Sequence, residues 1–342
     1  LDAINAYKHA LNLRPLFSAA YNNMGNALMQ LGKGDQAQTC YENVLEIEPG
    51  DDRATRHLAQ VHAAGSRFQV AEALYQRLLA HNPQDVDALG GLAACLINAG
   101  NQEGAIETLQ RVMAITPSAA APRFLLDALC GNARQCAPPE YIQSLFDGYA
   151  DRFELEQTVS LGYRGPAELR ELFGEAVPAD SQYSNALDVG CGTGLAAAAF
   201  KSLASRFTGI DLSSEMLVRA GQKHLYDSLL NGEAVELLTA SEGNFDLVLC
   251  CDTLAYVGDP VPLFEAVAAR TLPGGHFLCS TELAGSGTYS LQPSARFAHC
   301  PDYVIECASA AGFDVLAHKT IALRKAGDGW TSGGIYCFVR RA

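Results

Sequence analysis

The chain has 342 residues, of which 49% are hydrophobic and 18% charged, and a formal net charge of −14. That much apolar content builds cores for two domains and excludes a disordered chain, while its apolar runs are too short to span a bilayer. The acidity is uneven: residues 139–342 carry 14 basic and 25 acidic side chains, a net of −11, which repels phosphate backbones and disfavours nucleic acid as a partner.

The 11 cysteines form no Cys-x-x-Cys pair, and the eight histidines show no metal-ligand spacing. Free thiols, a reducing cytoplasmic location and no metal are expected.

Prolines stand at 15, 49, 83 and 117, each 34 residues apart. In register with them lie Ala3, Ala37, Ala71 and Ala105, then Tyr7, Tyr41, Tyr75 and Leu109. Small residues recur in the preceding helices at Gly25, Ala59 and Ala93, and glycines at 32, 65 and 100 separate the helices of each pair. Small residues let paired helices approach, large ones fill the gaps between pairs, and proline ends the second helix. This period predicts an α-solenoid and resembles tetratricopeptide repeats. The units are a lone second helix over 1–17, whole repeats over 18–51, 52–85 and 86–119, and a capping helix to Cys130. Because Leu1 falls within a repeat, the natural chain is expected to continue upstream. The resemblance implies a groove for a protein or peptide partner. Asn22, Asn26, Gln30, Gln60 and Asn98 would hold its backbone, and Arg56 a carboxylate. A solenoid that only spaces domains or self-associates is the alternative.

Residues 131–140, Gly-Asn-Ala-Arg-Gln-Cys-Ala-Pro-Pro-Glu, read as a linker between a repeat domain over 1–130 and a second domain over 141–342. From Glu140 the run to Phe153 has the apolar spacing of a helix, and another helix follows to Phe173.

The second domain is organised around Ala186-Leu-Asp-Val-Gly-Cys-Gly-Thr-Gly194. A buried strand feeds a glycine turn and then a helix, whose free N–H groups favour a ligand there. A second strand ends at Asp211, 17 residues past Gly194, where a carboxylate can accept from two ribose hydroxyls. The remaining strands are expected at 228–231, 245–251 and 276–281, with an antiparallel pair over 313–323 and 334–339. Glycine turns of this kind also serve dinucleotide enzymes, but a closing antiparallel pair argues against a hydride-transfer Rossmann domain.

These motifs, together with Asp-Leu-Ser at 211–213, Phe-Asp-Leu-Val-Leu-Cys-Cys-Asp at 245–252 and Leu-Pro-Gly-Gly at 272–275, resemble a class I S-adenosylmethionine-dependent methyltransferase. The whole arrangement resembles predicted bacterial methyltransferases that carry tetratricopeptide repeats. The resemblance implies a Rossmann-like α/β domain with a seven-stranded, mostly parallel sheet. It implies S-adenosylmethionine as cofactor, S-adenosylhomocysteine as product, and a small-molecule or protein acceptor. The methionyl part falls to Gly190, Cys191, Gly192 and Gly194, ordered by Asp188, and the ribose to Asp211. Leu212 and Met216 wall the adenine, with Glu233 and Ala234 beside it and Asp252 and Thr253 on the methionyl side. Glu233 departs from the aspartate often found there. Tyr149 and Tyr163 are lid candidates, while Phe146 and Phe153 read as core aromatics. For the acceptor, Tyr256, Glu282, His299 and Arg324 are candidates, with His299 as general base. No Asn-Pro-Pro-Tyr follows strand four, which weighs against amino-methylating enzymes of nucleic acids and glutamine. A scaffold with a degenerate or cofactor-sensing methyltransferase fold is the reading from a different class.

Overall fold

The computed structural model describes residues 2–326 and 329–342. The chain divides into two compact units, Leu1–Cys130 and Gly131–Ala342.

In the first unit helix Asp2–Leu13 precedes three helix pairs: Ser18–Gln30 with Gly34–Ile47, Asp52–Ala64 with Phe68–His81, and Val86–Asn98 with Gln102–Ile115. Helix Ala120–Cys130 follows. Leu1, where the first helix was expected to start, lies outside the described residues. The alanine row at 37, 71 and 105 is fully buried, and Tyr41, Tyr75 and Leu109 fill the core beside it. Tyr41 lies against Gly25, where a Cβ would come within 2.6 Å of the ring, and its hydroxyl donates to Asn26 Oδ1 at 2.7 Å. Asp51 and Asp85 cap the next helices by accepting from the backbone N–H of Ala54 and Ala88.

These caps correct the expected groove chemistry. Arg56 makes a two-pronged pair with Asp85 at 2.6 and 3.2 Å, so its charge is spent within the solenoid. Asn22 is buried and donates to Asp51, and Asn26 receives Tyr41. Gln30, Gln60 and Asn98 remain exposed.

The second unit is one mixed sheet with helices on both faces. Its strands are β1 (Tyr183–Val189), β2 (Ala204–Asp211), β3 (Ser228–Asn231), β4 (Phe245–Cys250), β5 (Thr271–Leu283), β6 (Tyr289–Leu291), β7 (Phe297–His299), β8 (Phe313–Ala326) and β9 (Gly329–Arg340). The order β3-β2-β1-β4-β5 is parallel throughout, and β9 then pairs antiparallel with β5 and β8 with β9. Successive side chains of a strand face opposite ways. Leu187 and Val189 therefore enter one core with Val248, Phe264, Phe277 and Phe338, and Ala186 the other, with Phe173, Phe200 and Leu249. Burial on both faces is why these strands read as continuous apolar runs.

Among the described residues the sheet has nine strands, the expected seven and two more. The additional hairpin β6–β7 joins the far end of β5 through Glu282↔Ala298 and Leu283↔His299. Strands of three residues carry no measurable alternation, so the sequence does not announce them.

The expected linker is also anchored. The Gln135 carbonyl accepts from the N–H of Gly258 and of Asp259, both at 2.8 Å, and Ala137 N–H donates to Tyr256 O at 2.9 Å. Residues 135–137 are a strap on the second unit. The following helix, Pro139–Asp147, stops at Gly148 instead of continuing to Phe153.

Candidate active site

The carboxyl ends of β1, β2, β3 and β4 surround a cavity of about 410 Å³. Open parallel sheets bind ligands at such a crevice because the loops leaving neighbouring strands diverge there. Two loops build its floor. After β1, Gly190, Gly192 and Gly194 all adopt positive φ (65°, 51° and 91°), which glycine takes without a Cβ clash. At Gly190 a Cβ would also collide with Thr253, whose hydroxyl donates to Val189 O at 2.8 Å. After β2, Asp211 reaches back: Oδ2 accepts from Gly192 N–H and Oδ1 from Ser213 N–H, each at 2.8 Å. Burial pushes its carboxyl above the usual range, and those two N–H donors pull it back.

The cavity brings together Gly190, Gly192, Asp211, Leu212, Met216, Glu233, Ala234, Asp252, Thr253 and Tyr256 among the residues expected from the sequence. Glu233 also serves the fold, since its Oε2 accepts from Glu236 N–H at 2.8 Å and caps helix Ala234–Ala240. Gly194 is the residue before helix Leu195–Phe200 and does not line the cavity. Cys191 is buried, its thiol packed beside Gly209, and stands outside the lining. Asp188 is fully buried beneath the loop. It accepts from the Tyr226 hydroxyl at 2.7 Å, and burial pushes its carboxyl up to about 7.

The aromatic assignments reverse. Phe146 and Phe153 line the cavity, whereas Tyr149 and Tyr163 do not. Phe146 meets Tyr256 edge-on at 5.3 Å; Tyr149 packs edge-on against Phe153 at 5.6 Å with Arg152 over its ring. Tyr163 packs against the core that contains Leu249 and Leu278. The cavity-covering segment is tied to helix Ser214–Gln222 and its end: the Ser213 hydroxyl donates to Asp147 Oδ1 at 2.6 Å, and Arg219 and Lys223 pair with Asp151 and Glu154.

Of the acceptor-side candidates only Tyr256 lines the cavity. His299 is fully buried on β7, its Nε2 donating to the carbonyls of Val257 (2.9 Å) and Gly258 (3.0 Å). Burial holds its pKa down and keeps the ring neutral, its Nδ1 is buried without a partner, and the residue does not line the cavity, so the structure does not bring the expected general base to the site. Glu282 accepts from Arg296 Nε (2.5 Å) and Arg324 Nη2 (2.7 Å), which makes it the centre of a buried ion network. Sequence reasoning missed Arg296, Tyr226, Asp147 and the strap at Gln135, Cys136 and Ala137, whose residues form one cavity wall. The double proline at 138–139 marked a boundary but gave no sign that the chain before it crosses the site.

Among the described residues no group of His, Cys, Asp and Glu is arranged to hold a metal ion, and no helix is long and apolar enough to cross a membrane. All 11 cysteines are free thiols.

Residues 187–279 match the family model described as "Methyltransferase domain", and residues 16–84 and 62–125 match two models described as "Tetratricopeptide repeat". The chain carries tetratricopeptide repeats followed by a methyltransferase domain. It is similar to the ubiquinone biosynthesis O-methyltransferase of Thiobacillus denitrificans, 37% identical over 113 residues, which are 31% of this chain and 47% of that protein. The same-named protein of Albidiferax ferrireducens is 41% identical over 101 residues, covering 28% of this chain and 40% of the relative. The chain thus spans less than half the length of these relatives. Among solved structures it is similar to the N-methyltransferase NodS of Bradyrhizobium japonicum in complex with S-adenosylhomocysteine, with a TM-score of 0.48 and 13% identity over 59% of this chain and 99% of that one.

Proposed function

We propose that residues 131–342 are an S-adenosylmethionine-dependent methyltransferase domain acting on a small-molecule or protein acceptor, and that the repeats recruit a protein partner. The observation that carries the cofactor reading is Asp211. Each of its oxygens accepts one backbone N–H, which leaves each a lone pair for a ribose hydroxyl. The surroundings fit the rest of such a molecule. Leu212, Met216, Ala234 and Val235 offer apolar sides for a base, and the Gly192 backbone is open to the cavity.

When bound, S-adenosylmethionine supplies an activated methyl on a sulfonium, so the protein has little covalent chemistry to perform. The chain's own residues bind, orient and exclude water. Phe146 and Phe153 cover the cavity, and Tyr256 offers a hydroxyl at its wall. The Tyr256 oxygen accepts from Arg296 Nη1 at 3.0 Å, so its own proton is left to donate elsewhere.

The partner reading rests on the repeat match and on the exposed amides Gln30, Gln60 and Asn98. Calorimetric titration of the full chain with S-adenosylhomocysteine tests the cofactor reading. One saturable site is expected, with NAD giving no heat and no competition. Absence of binding, or equal binding of NAD, would overturn it.

A further inference from the structure

The hairpin β6–β7 grips one loop at three points. Arg296 donates from Nη2 to Asp252 Oδ1 at 2.5 Å and from Nη1 to the Tyr256 oxygen at 3.0 Å. Phe297 packs so closely that a Cβ on Gly258 would come within 2.6 Å of its ring. His299 bonds the carbonyls of Val257 and Gly258. The gripped loop, residues 252–258, supplies Asp252, Thr253, Tyr256 and Val257 to the cavity wall.

This loop is not at rest by its own preference. Asp252 has φ 61° and ψ 1°, a left-handed conformation that an L side chain resists. Its N–H donates to Ser280 Oγ at 2.9 Å, and the next residue, Thr253, fills the space where a Gly190 side chain would stand. The loop and the glycine turn are therefore one packed unit, and a shift of Asp252 moves both.

Arg296 is only 6% exposed, and all three of its nitrogens are committed: Nε to Glu282, Nη1 to Tyr256 and Nη2 to Asp252. A buried ion network contributes little net stability, because desolvation offsets the attraction. A planar fork that meets two cavity-wall residues from behind instead fixes their positions.

We propose that Arg296 is a positioning residue for the cofactor cradle. It acts through Asp252 to hold loop 252–258 against the glycine turn, and the β6–β7 hairpin is the element that delivers it. The proposal rests on the cofactor reading above.

The test is S-adenosylhomocysteine affinity of the full chain, measured by calorimetry well below the melting temperature, where a mere brace for the fold leaves the dissociation constant unmoved. The variants are Arg296→Lys, Asp252→Asn and the double. Lysine keeps the charge but cannot bridge Asp252 and Tyr256 together. Each single change is expected to weaken binding about tenfold, the order of one charge-assisted hydrogen bond. The double should lose little more than either, since contacting residues couple. Wild-type affinity in Arg296→Lys, or losses that multiply in the double, would overturn the proposal. Should Arg296→Lys unfold, Arg296→Gln is tested in the Asp252→Asn background, which leaves neither charge of that pair unpartnered. Affinity equal to Asp252→Asn alone supports the proposal, and a further tenfold loss refutes it. A wild-type chain that fails to bind overturns the cofactor reading and this inference with it. A wild type that binds while Arg296→Lys matches it overturns the inference alone.

Discussion

Replacing Asp211 isolates the group on which the cofactor reading depends. Its carboxylate ties Gly192 N–H to Ser213 N–H and has one lone pair left on each oxygen. A hydrogen bond to an ionised group contributes about 1.5–3 kcal/mol. Two ribose hydroxyls on one carboxylate are coupled, so their joint loss is below the plain sum, roughly 3 kcal/mol or about 100-fold in affinity. Asp211→Ala should lose that much for S-adenosylhomocysteine by calorimetry while keeping a cooperative melt. Asp211→Asn keeps the shape but turns an NH₂ towards one of the two N–H donors, so it should weaken binding by at least about tenfold. The pH dependence has a definite sign. Burial raises the Asp211 carboxyl above its usual range, and the ionised form is the better acceptor. Wild-type affinity should therefore fall on acidification, beginning above the usual carboxylate range, and Asp211→Ala should lack that component. An Asp211→Ala protein that is folded and binds as tightly as wild type would refute the reasoning.

Asp188 tests linkage in the fold itself. Its carboxyl titrates near 7 when folded and near 4 when unfolded, so the folded state binds the extra proton between those values. That contribution is present below about pH 4 and lost as pH rises through 7, up to roughly 4 kcal/mol. Asp188→Asn, which keeps an acceptor for Tyr226, should raise the melting temperature at pH 8 and not at pH 4; no gain at pH 8 would count against it. Gly90 and Gly91 are adjacent in helix Val86–Asn98 but should respond oppositely to alanine. A Cβ at Gly90 meets nothing within 4 Å, so Gly90→Ala should stabilise by about 0.5–1 kcal/mol in chemical denaturation. A Cβ at Gly91 collides with the buried Tyr75 ring, so Gly91→Ala should destabilise by about 1–3 kcal/mol. A fragment of residues 131–342 should fold and bind S-adenosylhomocysteine, whereas 141–342, lacking the strap, should bind more weakly; equal affinity of the two would remove Gln135–Ala137 from the site.

What the sequence made legible was local or periodic. The 34-residue register is written in single residues, and it places Ala37, Ala71, Ala105 and their large neighbours Tyr41, Tyr75 and Leu109 in the core. The glycine turn and Asp211 are likewise set by backbone rules acting within a few residues. The lid failed for a specific reason. Tyr149 and Tyr163 are candidates because of their hydroxyls, but the helix ends at Gly148 and the chain turns, and the cavity wall takes the apolar rings of Phe146 and Phe153 instead.

His299 failed for a different reason, and the difference shows what a motif reading can carry. An imidazole in a loop is a reasonable base, because nothing in the neighbouring residues says what its nitrogens will meet. That is decided by register: β7 pairs with the end of β5 at Leu283↔His299, and this seats the ring under the carbonyls of Val257 and Gly258. Three residues earlier in the chain, Arg296 reaches Asp252 and Tyr256. Thus the residue with the more familiar catalytic chemistry is held away from the cavity, and an arginine without a motif touches two of the residues that line it. A short strand added to a sheet edge can change which side chains reach a site without leaving a signal of its own, since its contacts are fixed by pairing partners distant in sequence.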